Sequence, residues 1–229
     1  MKMKKCQARM NILVGYQIPY SQAKIDNTHL NRHKWRLAAE HYSLFMFTTL
    51  YKIIEGKGLH YKEMWFDDTK DAVIIHWGKV GFVGKTEEYS MTIEEAKDYL
   101  KKIILLWKEE GYYEFPDEEL IEIIIQFPLK SEQGNKRDKW LGEKCSEYVQ
   151  AHLGWRGLGY SEGPDIRNKK LNIFCVVVDE DKAVSSIKTC LKTYRLDLTH
   201  AIIAARRWNE DGEFRVKYSH KPVKEFLLI

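Results

Sequence analysis

The sequence predicts an α+β protein: an antiparallel sheet with one packed helix, followed by a small α+β sandwich domain ordered β-α-β-β. Three observations carry this. Short β-prone runs recur along the chain, two amphipathic helices with recognisable caps interrupt them, and a polar, pattern-free stretch at 130–139 divides the whole. With 229 residues, 44% hydrophobic and 31% charged, and only 5 Pro and 14 Gly, the chain is neither disordered nor collagen-like. It is long enough to bury one large core or two small ones.

The strands come first. An apolar, β-prone run begins at Ser43 and continues to Tyr51, a second covers His60 to Phe66, and a third is Ala72 to Trp77. Thr92 then opens a helix, with Glu95 three residues on completing a capping box. Ala96, Tyr99, Leu100, Ile103 and Trp107 form its apolar stripe, and Gly111 is its stop. Leu120 to Phe127, rich in isoleucine, reads as a further strand of the same domain. Beyond 139 a short helix is expected at 142–152, then a glycine-rich loop and an apolar strand at 171–178. A helix from Lys182 to Tyr194 follows, capped by Asp179 or Asp181, with Val184, Ile187, Leu191 and Tyr194 inward. His200 to Arg206 and Phe214 to Tyr218 close the chain as a hairpin. The expected division is a basic N-terminal arm at 1–42, a first domain at 43–128, a linker at 129–144 and a second domain at 145–229.

Charge is more informative by region than in total. The formal net charge is +4, yet residues 1–62 carry 11 basic and 3 acidic side chains, whereas 63–128 carry 7 basic and 16 acidic. The arm holds the cluster Arg32, Lys34 and Arg36 around Trp35, readable as a solvated charge run or as a phosphate-contacting segment. No run of 18 apolar residues exists, and the lysines at the start lack the apolar stretch of a signal peptide. Four dispersed cysteines without a CxxC pair predict reduced thiols in a cytoplasmic protein, with no metal site and no cofactor.

The most specific segment is His76-Trp77-Gly78-Lys79-Val80-Gly81-Phe82-Val83-Gly84-Lys85. A strand ends in tryptophan, glycines at spacing three permit a tight reversal, and two lysines project from it. Together with Tyr61 to Phe66, the helix entry Thr92 to Ala96 and the ending Lys108-Glu109-Glu110-Gly111-Tyr112, this resembles a WGR domain over roughly 44–127. The resemblance implies nucleic-acid or protein recognition, with Trp77, Lys79 and Lys85 near the contact face. The motif arginine is Lys79 here, a point charge in place of a planar fork. Trp77 has a second reading, as a core anchor.

The stretch Leu153 to Asp165 holds four glycines but neither the dinucleotide nor the P-loop spacing. Its Trp155, Arg156 and Tyr160 are the residue types that concentrate at interface hot spots, and a packed structural loop is the alternative. Enzyme signatures fail one by one. His29 and His33 lack the glutamate of a metalloprotease, no GxSxG occurs, and the Asp179–Asp181 carboxylates suit a helix cap. Cys145 and His152 have no third group that sequence can place. The expectation is therefore a non-enzymatic, two-domain recognition protein. Its partner is nucleic acid (DNA or RNA ends) or a protein. The alternative is a bacterial immunity or inhibitor protein that neutralises a toxin.

Overall fold

The computed structural model describes residues 47–208, 212–223 and 225–228, and the chain divides into two units. Residues 47–78 and Lys85–Glu114 belong to the first, while Lys79–Gly84 and the chain from Phe115 belong to the second.

In the first unit, strands β1 (Phe47–Ile54), β2 (Gly58–Asp67), β3 (Ala72–Lys79) and β4 (Lys85–Ser90) form a sheet in sequence order. Helix α1 (Ile93–Glu109) packs on one face. The expected cap is in place. Thr92 Oγ1 accepts from the Glu95 amide, and the Glu95 carboxylate accepts from the Thr92 amide at 2.8 Å. These bonds favour the ionised carboxylate, so the Glu95 pKa is lowered. Ala96, Leu100 and Trp107 bury against Leu50, Met64, Phe66 and Val73, with Tyr99 and Ile103 beside them, as the stripe predicts. Tertiary burial of this kind, at about 1.5–3 kcal/mol per large side chain, holds such helices more than propensity does. Lys52 and Lys62 of the sheet reach Glu110, where cations suit the negative end of a helix.

The second unit contains β5 (Ile121–Pro128), α2 (Lys136–Gly154), β6 (Gly159–Arg167), β7 (Lys170–Val177), α3 (Glu180–Thr193), β8 (Ile202–Arg207) and β9 (Arg215–Ser219). Its sheet has the order β6-β7-β5-β8-β9, with all four neighbouring pairs antiparallel. The β7-α3-β8-β9 run is the expected β-α-β-β, and Asp179 caps α3 by accepting from the Lys182 amide.

Three expectations about organisation are corrected. Strand β5 is not the last strand of the first domain. It pairs with β7 on one side and β8 on the other, at the centre of the second sheet. Its run Ile123-Ile124-Ile125 is fully buried, which an apolar strand achieves only between two neighbours and two covered faces. The boundary accordingly falls after Glu114. The linker expected at 129–144 is largely the first half of α2, capped by Asn135 with Asp138 completing the box. Its first turns point Lys136, Arg137, Lys139 and Trp140 at solvent, so no apolar stripe marks them. Part of the glycine-rich loop is a strand. Strand β6 is a sheet edge with a bulge between Ser161 and Gly163, where glycine and Pro164 are tolerated. Strand β4 went unread because all six of its residues are exposed, which removes any alternation.

Glycine is obligatory at the head of β6. Gly159 has φ +133°, and a Cβ there would lie 2.0 Å from the Val176 carbonyl oxygen. Gly159→Ala should therefore destabilise the protein by on the order of 3 kcal/mol or more. Gly56→Ala, at φ +68° in open space, should cost about 1 kcal/mol. Urea unfolding midpoints check both, and equal midpoints would contradict this placement of β6.

Candidate functional site

The Trp-Gly-Lys segment folds as the expected reversal. Strand β3 runs on through Gly78 to Lys79, Val80 is buried, and the Phe82 amide donates to the Lys79 carbonyl at 3.1 Å. Gly81 turns the chain at φ +94°. A Cβ at that position would meet Cδ of the Lys182 side chain at 2.6 Å, so a larger residue there would require that side chain to shift.

Helix α2 ends at the other singled-out segment. Trp155 is its C-cap, with its amide bonded to the Ala151 carbonyl, and Leu158 closes the turn on the Leu153 carbonyl at 3.0 Å. The last carbonyls of a helix have no partners within it. Here the turn's own amides take the Ala151, Leu153 and Gly154 carbonyls, and the reversal takes the two that follow: the Gly81 amide donates to Arg156 O at 2.9 Å, and the Gly84 amide donates to Trp155 O at 3.2 Å. Two segments some 75 residues apart in the chain are thereby joined through their backbones.

The side chains around this junction are basic and aromatic. Lys79 is exposed, with its ammonium 5.7 Å from the centroid of the Phe82 ring. Phe82 and Val83 at the tip are 60% and 57% exposed, which no core role explains. Trp155 and Arg156 are half-buried, and Arg156 Nη1 donates to the His152 carbonyl at 3.0 Å. Tyr160, at the start of β6, is exposed. His152 is half-buried edge-on to Tyr194, whose ring stacks on Tyr148 at 4.2 Å. Burial, then the neighbouring Arg156 charge, lowers the His152 pKa to about 4.

Of the sequence-derived residues, the structure brings Lys79, Trp155 and Arg156 to one junction and places Tyr160 at the head of the next strand. Trp77 is half-buried, on the register pair Trp77–Lys85, and Lys85 is exposed on β4. Arg32, Lys34 and Arg36 lie outside the described residues. Phe82 and Val83 belong to the Trp-Gly-Lys segment, and the sequence pattern assigns them no role. Their signal was an apolar pair at the tip of a glycine-bounded turn, where core burial is unusual.

A second polar feature was not foreseen. In the first sheet the Tyr61 hydroxyl lies 2.9 Å from His76 Nε2, and His76 Nδ1 lies 2.5 Å from Glu63 Oε1. Thr49 Oγ1 donates to the other Glu63 oxygen at 3.3 Å. Tyr61 and His76 are fully buried, and Trp65 packs edge-on to the imidazole. The order of groups imitates a hydrolase triad with tyrosine at its end, but a nucleophile at zero exposure meets no substrate. In the second unit, Cys145, Cys175 and Cys190 are buried free thiols whose pKa values burial raises, Cys190 to about 12, leaving them protonated and inert. Among the described residues no group of three or more His, Cys, Asp or Glu side chains is placed to hold a metal ion, and no helix is long and apolar enough to cross a membrane. No family model, no curated protein and no solved structure matches the chain.

The His152 geometry has a measurable consequence. In the unfolded chain this imidazole takes a proton near pH 6.5, whereas the folded site resists protonation until about pH 4. The unfolded state therefore binds more protons in that window, and stability falls as pH drops through it. An NMR ring titration should show His152 neutral well below pH 6, and His152→Gln should flatten stability between pH 6.5 and 4. A midpoint near 6.5 in the folded protein would contradict the burial.

Proposed function

We propose that this chain is a recognition protein, binding rather than transforming its ligand, and that the junction of the β3–β4 reversal with the end of α2 binds nucleic acid. The observation that carries this reading is the pair of backbone bonds from Gly81 and Gly84 to Arg156 and Trp155. They bring Lys79, Phe82, Trp155 and Arg156 together at one basic and aromatic junction within the second unit, with Tyr160 following at the start of β6. Cations neutralise phosphates, and exposed rings offer stacking faces to unpaired bases. This combination suits a strand end better than a duplex groove. The WGR resemblance over roughly 44–127 points the same way, and Arg32, Lys34 and Arg36 of the arm would add phosphate contacts.

Fluorescence anisotropy with short DNA and RNA single strands and overhang duplexes tests it. Binding should weaken steeply with salt, and Lys79→Ala should reduce the log–log slope by about 1. Phe82→Ala should cost about 1–3 kcal/mol at constant salt. No binding to any of these strands at low salt sinks the proposal.

A protein inhibitor of the immunity type is the second reading, favoured by the exposed apolar tip of Phe82 and Val83. A protein complex through this tip would be weakly salt-dependent. Phe82→Ala would cost about 2 kcal/mol or more in it, the scale of a hot spot. A partner complex indifferent to Phe82→Ala and Trp155→Ala removes the junction from that interface.

A further inference from the structure

On the second sheet, Gln126 and Asn172 are cross-strand partners that alternate with the buried Ile125 and Ile173, so they share one face. Both are buried, and Gln126 Nε2 donates to Asn172 Oδ1 at 2.8 Å. The same amide nitrogen donates to the main-chain carbonyl of Leu227 at 3.3 Å, and Lys170 Nζ donates to that carbonyl at 2.6 Å. Burial lowers the Lys170 pKa, the mark of an ammonium partly removed from water. The remaining donor of the group, Asn172 Nδ2, is buried and bonded to no protein atom. A buried donor without an acceptor costs about 1–3 kcal/mol, so the cluster has one more donor than its present occupant satisfies.

That occupant is a short segment of irregular backbone. Residues 225–228 form neither helix nor strand, and Leu227 and Leu228 are 46% and 36% exposed. Besides the Leu227 carbonyl, Phe226 lies against Phe214 at 5.3 Å between ring centroids, with the Arg206 guanidinium over Phe214. A segment with little buried apolar area and no ladder of hydrogen bonds belongs to the least stable part of a fold. The polar group beneath it is instead fixed by strand register.

We propose that Lys170, Gln126 and Asn172 form a receptor for the main-chain carbonyl of an extended peptide, and that residues 225–228 are its exchangeable occupant. The ligand class is an extended segment presenting a carbonyl beside an aromatic side chain, as Phe226-Leu227 does in cis. This site is separate in residues and chemistry from the junction at Gly81, and neither proposal depends on the other.

The test uses the intact chain and an unlabelled peptide of the sequence 223–229. At millimolar peptide, the side-chain amide resonances of Gln126 and Asn172 in the 15N-labelled chain should shift saturably. Lys170→Met should weaken the apparent affinity at least tenfold. A second chain carrying a protease site between the exposed His220 and Lys221 should, once cut, bind a fluorescent form of the peptide at least tenfold more tightly than the uncut chain does. No shift of either amide at millimolar peptide overturns the proposal, as does equal binding by the Lys170→Met chain. A cut segment that never exchanges would make it a permanent part of the fold.

Discussion

The carbonyls of Trp155 and Arg156, just past the last turn of helix α2, accept from the Gly84 and Gly81 amides of the glycine reversal after β3. The candidate surface depends on that exchange. Without the Gly81 and Gly84 amides, the Trp155 and Arg156 carbonyls lose these donors and the end of α2 is no longer tied to the reversal. Without α2, the tip carrying Phe82 and Val83 has only its own turn to hold it. Glycine is favoured at 81 because the turn requires positive φ. Backbone-to-backbone bonds are also indifferent to the side chains displayed, which makes such a junction a stable platform for variable contact residues.

Buried polar groups specify the two sheets in a parallel way. Tyr61, His76, Glu63 and Thr49 link three strands of the first sheet, and Gln126 with Asn172 links two of the second. Glu122 and Arg206 do the same across β5 and β8, at 2.8 Å on a registered pair. Each chain of bonds is broken by a one-residue slip, because a slip moves every side chain to the opposite face. Their value lies in register more than in net stability, since burying such groups costs about as much as their bonds return.

How much was legible follows from which residues face one environment. The Thr92–Glu95 box, the α1 stripe and the Asp179 cap are local patterns, and all were readable. Strand β4 and the first turns of α2 expose their residues, so burial imposed no period on them. Strand β6 was hidden for a different reason: an edge position tolerates the glycines and proline that elsewhere signal a loop. The Tyr61–His76–Glu63 chain left half a signal. Tyr61 and Glu63 alternate on one face, but His76 joins them only through the alignment of β2 with β3.

The sequence by itself determined the α+β class, most element identities, the helix caps and the Trp-Gly-Lys reversal, because these depend on interactions within a few residues. Only the tertiary structure decided where β5 belongs and what the reversal touches. An apolar strand demands burial on both faces but carries no mark of which neighbours provide it. A glycine amide in a turn likewise carries no mark of the distant carbonyl it will meet.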